Sequence, residues 1–173
     1  GVPGCIHRGI SEKTANKIYD DMIDFAKYAF NKSHAAAYAV VSYQTAFLKY
    51  YYPVEYMAAL MTSVIHNPSK VAEYILSSRK MQIEILPPDI NFGESEFSAD
   101  HGAIRYGLSA IKSLGAPMIR AIVEERKENG KYQSLRDFIE RMSGKELNKR
   151  AIENLIKAGA LDQVAGNRRQ KLM

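Results

Sequence analysis

The residues best placed to do chemistry form no catalytic set; they lie in a short stretch of backbone. From Ala110 to Ile122 the chain reads Ala-Ile-Lys-Ser-Leu-Gly-Ala-Pro-Met-Ile-Arg-Ala-Ile. Two apolar segments meet at a tight turn around Gly115, and Pro117 opens the second where a missing N–H costs nothing. The first N–H groups of a helix have no acceptor within it. With the helix dipole behind them they form an anion site that suits a phosphate. Ser113, Gly115 and Ala116 are small enough to let a ligand's backbone come close, and Lys112 and Arg120 add positive charge. Such contacts read phosphates and carry no base information.

The pattern resembles the helix-hairpin-helix motif of DNA-binding proteins, with Ser113 where the motif usually has its first glycine. A single glycine between helices is also what an ordinary turn looks like. A second unit argues for the tandem reading. Asn148 caps a helix over Lys149–Ala158, Gly159 closes it, and Gly166-Asn167-Arg168-Arg169 opens another. The second hairpin is longer and its glycines are spaced differently. Lys149, Arg150, Gly166, Asn167, Arg168 and Arg169 are its candidate contacts.

A further polar cluster, Asn31-Lys32-Ser33-His34, stands at the start of a very apolar helix. Donors there suit a phosphate or a nucleoside triphosphate; the plainer reading is an N-cap with a solvated Lys32 and a packed His34. Asp20, Asp21 and Asp24 read as a solvated helix face and not as a metal-binding carboxylate set. Cys5 and His7 lack companions for a zinc site. Tyr50-Tyr51-Tyr52 could stack bases, but packing explains it as well. No Walker loop, dinucleotide fingerprint or Ser–His–Asp order is present.

The elements that carry these residues are mainly helical. Ser11 caps a helix whose apolar positions Ala15, Ile18, Tyr19, Met22, Ile23 and Ala26 recur at three- and four-residue steps. A second helix, from Ser33 to about Tyr51, is apolar nearly all round and is expected to be a buried central helix. A third follows Pro53, from Val54 to about Ile65. Ser69 is expected to cap a fourth, with Val71, Tyr74, Ile75 and Arg79 inward. Ile83–Leu86 is β-branched, and Phe97–Ala99 with Ala103–Tyr106 flank Asp100-His101-Gly102 as a hairpin. The rest is expected as short helices: Leu108–Ser113, Pro117 to about Lys127, one opened by a box-like Ser134…Asp137, Lys149–Ala158, and a last one after Asn167. The fold class is therefore mainly α: a helical part, a β-hairpin connector over residues 81–107, and a tandem helix-hairpin-helix part over residues 108–173.

The net charge of +5 is unevenly spread. Residues 1–103 hold nine Lys/Arg against eleven Asp/Glu, a net of −2; residues 104–173 hold fifteen against eight, a net of +7. A basic half beside a near-neutral one points to a polyanionic partner for the basic half. The single cysteine excludes an internal disulfide and fits a reducing compartment. No apolar run is long enough to span a membrane. The start, Gly1-Val2-Pro3-Gly4, reads as a cut through a longer polypeptide.

Several long stretches together resemble the C-family bacterial replicative polymerases, the DNA polymerase III alpha subunits, and the DnaE type more than the PolC type. They are Phe30–Tyr38, Ser42–Lys49, Tyr52–Leu60, Leu86–Asn91, Ile104–Lys112 and Asn148–Asp162, in family order. The resemblance implies that residues 1–80 are the C-terminal part of the fingers, and that the basic half grips duplex DNA without sequence preference. It implies a nucleotide or template contact at Asn31, Lys32, Ser33 and His34. It places the metal-binding aspartates, and the Mg they hold, in a palm outside this chain. The chain is therefore expected to be a non-catalytic, cytoplasmic fragment without a cofactor of its own. Its expected partners are primer-template DNA, deoxynucleoside triphosphate, the remainder of the polymerase and the sliding clamp, and no membrane. The rival reading is a replisome protein-interaction module, whose binding would hardly depend on salt. An enzyme in its own right finds no catalytic constellation to support it.

Overall fold

The computed structural model describes residues 4–27, 32–145 and 147–173. By its contacts the chain divides into two compact units, residues 1–47 and 48–173.

The first unit begins with a 3-10 turn, Ile6–Arg8, closed by Gly9 in the left-handed region. Helix α1, Glu12–Lys27, follows. Ser11 Oγ accepts the Thr14 N–H at 3.3 Å, the N-cap expected from the sequence. Helix α2, Lys32–Tyr51, belongs to this unit as far as Phe47 and has no buried residue, which corrects the expectation of a buried central helix. Tyr38, Val40, Val41, Tyr43 and Phe47 are all exposed. An apolar composition sets what a helix would bury, but it cannot supply the surface that covers it.

In the second unit, α3 (Pro53–Ser63) starts at its proline, and α4 (Pro68–Lys80) is capped by Asn67, whose side chain accepts the Lys70 N–H. Asn67 thus takes the role expected of Ser69, because Pro68 is itself the first helical residue. Val71 is buried and Tyr74 and Ile75 are half-buried, as expected, whereas Arg79 is exposed. The buried position there is Ser78, whose hydroxyl donates to Tyr74 O at 2.8 Å.

Strands β1 (Ile85–Leu86), β2 (Ser98–Asp100) and β3 (Ala103–Arg105) form a sheet in the order β1-β3-β2. The β2–β3 hairpin was legible: His101 and Gly102 both take positive φ (50° and 85°), the primed-turn conformation that matches strand twist. The parallel pairing of β1 with β3 was not anticipated. Met57, Met61, Val71, Ile83, Phe97 and Ile104 form one core, where α3 and α4 cover this sheet.

The remaining helices enclose a second core that includes Ile90, Leu108, Ile122, Phe138 and Leu155. They are α5 (Ala116–Asn129), α6 (Leu135–Arg141), α7 (Lys149–Ala158) and α8 (Arg168–Leu172). Fully burying side chains of this size contributes about 1.5–3 kcal/mol each. Ser134 caps α6 by accepting the Asp137 N–H, but the Asp137 carboxylate reaches back to Gln133 N instead of the cap residue. The helix expected over Leu108–Ser113 is only a 3-10 turn, Leu108–Ala110. Leu108 and Ile111 are drawn into the core, and Ser113 takes a left-handed φ of 64°, which no helix tolerates.

A loop between β1 and β2 ties into this second core. Ile90 N donates to Ala160 O at 2.9 Å. The buried Arg126 guanidinium donates to Ile90 O (3.0 Å), Gly93 O (2.7 Å) and Glu94 Oε1 (2.9 Å). Asn91 and the Tyr132 backbone exchange two hydrogen bonds, at 2.9 and 2.8 Å. Burial raises the carboxyl of Asp89, beside them, above its ordinary range.

Candidate nucleic-acid interface

The first hairpin is built from Ile111 to Met118. Its turn is set by Ser113 in the left-handed region, the conformation for which the motif normally carries a glycine. A serine there costs about 1 kcal/mol. Gly115 is the N-cap of α5 and offers no side-chain hydrogen bond to it. Pro117 removes one of the orphan donors, leaving the Ala116 and Met118 N–H groups without a side-chain cap. Ser113, Gly115, Ala116 and Pro117 are exposed.

Gly115 has no need of glycine's freedom: its φ is −73° and its ψ 144°. A Cβ added there would meet only Pro117 Cδ, at an ordinary 3.7 Å. Neither backbone conformation nor internal packing requires the missing side chain. The result is an open approach to the N-terminus of α5. Lys112 and Arg120, both exposed, flank that approach and make no ion pair among the described residues. Asn154 on α7 anchors the hairpin by donating to Lys112 O at 3.0 Å, a link across 42 residues that no local pattern announces.

The second hairpin is organised in the opposite way. Gly159 closes α7 with φ +87°, and a Cβ there would lie 2.5 Å from a terminal nitrogen of Arg168 and 3.1 Å from Asp162 Oδ2. Arg168 Nε donates to Asp162 Oδ1 at 2.9 Å, its Nη2 pairs with Asp162 Oδ2, and its Nη1 reaches Lys157 O at 3.4 Å. This guanidinium holds the Asp162 carboxyl below its ordinary range. Lys171 Nζ donates to Leu161 O and Val164 O at 2.7 and 2.8 Å. The start of α8 is closed by a full capping box between Asn167 and Gln170. Arg168 is therefore bound within the chain, Asn167 serves as a cap, and Gly166 holds a positive φ of 92°. Lys149, Arg150 and Arg169 are exposed and make no ion pair among the described residues.

A carboxylate on α5 fixes the base of this region. Glu125 is held at about 2 by Lys145, which pairs with it directly, and then by Asn129 and Arg141. Arg141 also donates to the backbone oxygens of Glu125 and Gly130, at 3.1 and 2.9 Å. Of this clamp the sequence showed only scattered charges.

Of the other cluster, Asn31 lies outside the described residues. Lys32, Ser33 and His34 open α2 and are exposed, and the His34 ring lies 4.3 Å from that of Tyr38 one turn on. Asp20, Asp21 and Asp24 lie exposed on α1. No group of three or more His, Cys, Asp or Glu that could hold a metal ion occurs among the described residues, and no helix there is long and apolar enough to cross a membrane.

Comparison with known proteins bears on the same region. A family model described as "Helix-hairpin-helix motif" matches residues 82–171, both hairpins included. The DNA polymerase III subunit alpha of Thermus aquaticus is 50% identical over 161 residues, which is 93% of this chain and 13% of the relative. That of Deinococcus radiodurans is 48% identical over 93% of this chain and 12% of its own length. That of Vibrio cholerae is 48% identical over 95% of this chain and 14% of its own. The chain spans about an eighth of the length of the curated relatives it matches. It belongs to the helix-hairpin-helix family and, over nearly its whole length, is a homologue of one segment of DNA polymerase III subunit alpha.

Proposed function

We propose that this chain is a DNA-gripping segment of a replicative polymerase, holding the backbone of duplex DNA without reading its sequence. The observation that carries the reading is the first hairpin: an exposed, side-chain-uncapped helix start beside a glycine that nothing inside the chain requires. A phosphate oxygen seated there would accept from the Ala116 and Met118 N–H groups, with Lys112 and Arg120 adding charge. At the second hairpin, Lys149, Arg150 and Arg169 are the cations free to meet phosphate. Arg168 acts mainly as an internal clasp.

The chemistry of polymerisation, with its metal-bound aspartates, would be supplied by other parts of the relatives' longer chains. In such an enzyme the exposed start of α2 would meet nucleotide or template through Lys32, Ser33 and His34. The decisive experiment is fluorescence anisotropy of a labelled duplex over a salt series. Engagement of roughly four phosphates predicts an approximately hundredfold loss of affinity on raising salt from about 50 to about 200 mM. Affinity that ignores salt would replace this reading with the protein-interaction one, which draws on the exposed aromatic residues of α2.

A further inference from the structure

Phe92 is the one Phe or Tyr left exposed among the described residues from Pro53 to Met173, with 48% of its surface open. Its setting is rigid. Before it, Asn91 is locked to the Tyr132 backbone by two hydrogen bonds, and Asp89 Oδ1 accepts the Asn91 N–H at 2.6 Å. After it, Gly93 N donates to Asp89 O at 2.7 Å while Gly93 O accepts from Arg126. A loop tied at so many points presents an apolar ring to water from a fixed backbone. Two cations attend the ring: Lys131 Nζ lies 3.9 Å from its centroid and Arg105 Cζ 5.8 Å. Arg105 is committed to Asp100 Oδ2 and to Pro87 O. Lys131 is exposed and makes no ion pair among the described residues; its carbonyl accepts from Arg141 and Gln133.

We infer that Phe92 and Lys131 form a stacking site for an unpaired nucleotide of single-stranded DNA, the base on the ring and its phosphate on the ammonium. An aromatic face beside a mobile cation is the sequence-tolerant device for single strands. Stacking of a base outweighs an exposed cation–π contact, so the lysine swings from ring to phosphate without losing its charge. The site lies beyond the C-terminus of α5, and the first hairpin lies at its N-terminus. The 14 residues of that helix separate them by about 21 Å, or about six base steps of a strand. A strand leaving a duplex held at the hairpin can reach the ring.

The inference takes its ligand class from the nucleic-acid reading above but depends on neither hairpin. It is tested by anisotropy of labelled oligothymidylate and of a blunt duplex against this chain and its Phe92→Ala, Phe92→Tyr and Lys131→Ala variants, with circular dichroism to confirm folding. Phe92→Ala should lower single-strand affinity about tenfold, with Phe92→Tyr close to the parent and all blunt-duplex affinities within about twofold. Lys131→Ala should reduce the salt slope for the single strand by about 0.7. A parent chain that does not bind oligothymidylate would sink the inference. So would a folded Phe92→Ala variant that binds it unchanged, or that loses single strand and duplex alike. Loss of blunt-duplex binding alone, in the parent, would instead remove the hairpin reading and leave this one standing.

Discussion

The two hairpins use the same ingredients, glycine, a helix start and arginine, to opposite ends. In the first, a Cβ on the glycine would meet only Pro117 Cδ at an ordinary distance, the helix start has no side-chain cap, and Lys112 and Arg120 make no ion pair among the described residues. In the second, an arginine crowds the glycine, a capping box closes the helix start, and Arg168 and Lys171 bind groups of their own chain. The first helix start has no side-chain cap, whereas the second is capped and tied by side chains of its own chain, with Lys149, Arg150 and Arg169 left outside those ties. A repeated motif therefore does not imply repeated local bonding.

Filling each glycine should separate the two hairpins most strongly. Gly115→Val should cost about 2 kcal/mol of duplex affinity, some thirtyfold, and change stability by no more than about 1 kcal/mol. Gly159→Ala should do the reverse: a left-handed residue gains a Cβ that must displace Arg168. A loss of about 2 kcal/mol is expected, or about 4–8 °C in Tm, with duplex affinity per folded molecule little changed. Equal effects of the two changes on anisotropy and on melting would erase the distinction.

Charge gives the next largest contrast. Lys112→Glu should weaken duplex binding about tenfold and lower the salt slope by about 1, whereas Arg168→Gln should mainly lower the melting temperature. A steeper loss of DNA affinity from Arg168→Gln than from Lys112→Glu would reverse the assignment.

Acid should loosen the tandem through two carboxylates held low in the fold. Glu125 titrates at about 2 in the fold against an ordinary 4.5, and Asp162 is likewise lowered. Groups of this kind contribute stability that is complete above their unfolded values and fades as pH falls through the folded ones. Urea midpoints should therefore drop between pH 4.5 and about 2, and Glu125→Gln should flatten that fall. The smallest effect is expected at Ser113→Gly, which relieves a left-handed serine: a gain of about 0.5–1 kcal/mol in chemical denaturation, with duplex binding retained.

What the sequence revealed was local. Ser11, Ser134, Asn148 and Asn167 cap as their positions predict, because a cap needs only a short polar side chain and the next turn. The β2–β3 turn was legible for the same reason. What stayed hidden depends on distant partners. Arg126 reads as one more surface cation until it is seen holding Ile90 O and Gly93 O. The pairing of Arg168 with Asp162, six residues away, is likewise not announced by the sequence. The exposure of α2 was unreadable because periodicity and composition describe a helix and not its surroundings. Ser113 stands where the motif usually has its first glycine, and the backbone takes the glycine conformation regardless.

The bond from Ile90 N to Ala160 O bears on when this segment can fold. The loop after β1 is synthesised first, but the carbonyl it needs comes seventy residues later. At about 5–20 residues per second, the ribosome takes about 4–14 s to make that stretch. Until then the Ile90 N–H lacks this acceptor. The tie between this loop and the turn after α7 therefore closes only after most of the hairpin region has been made.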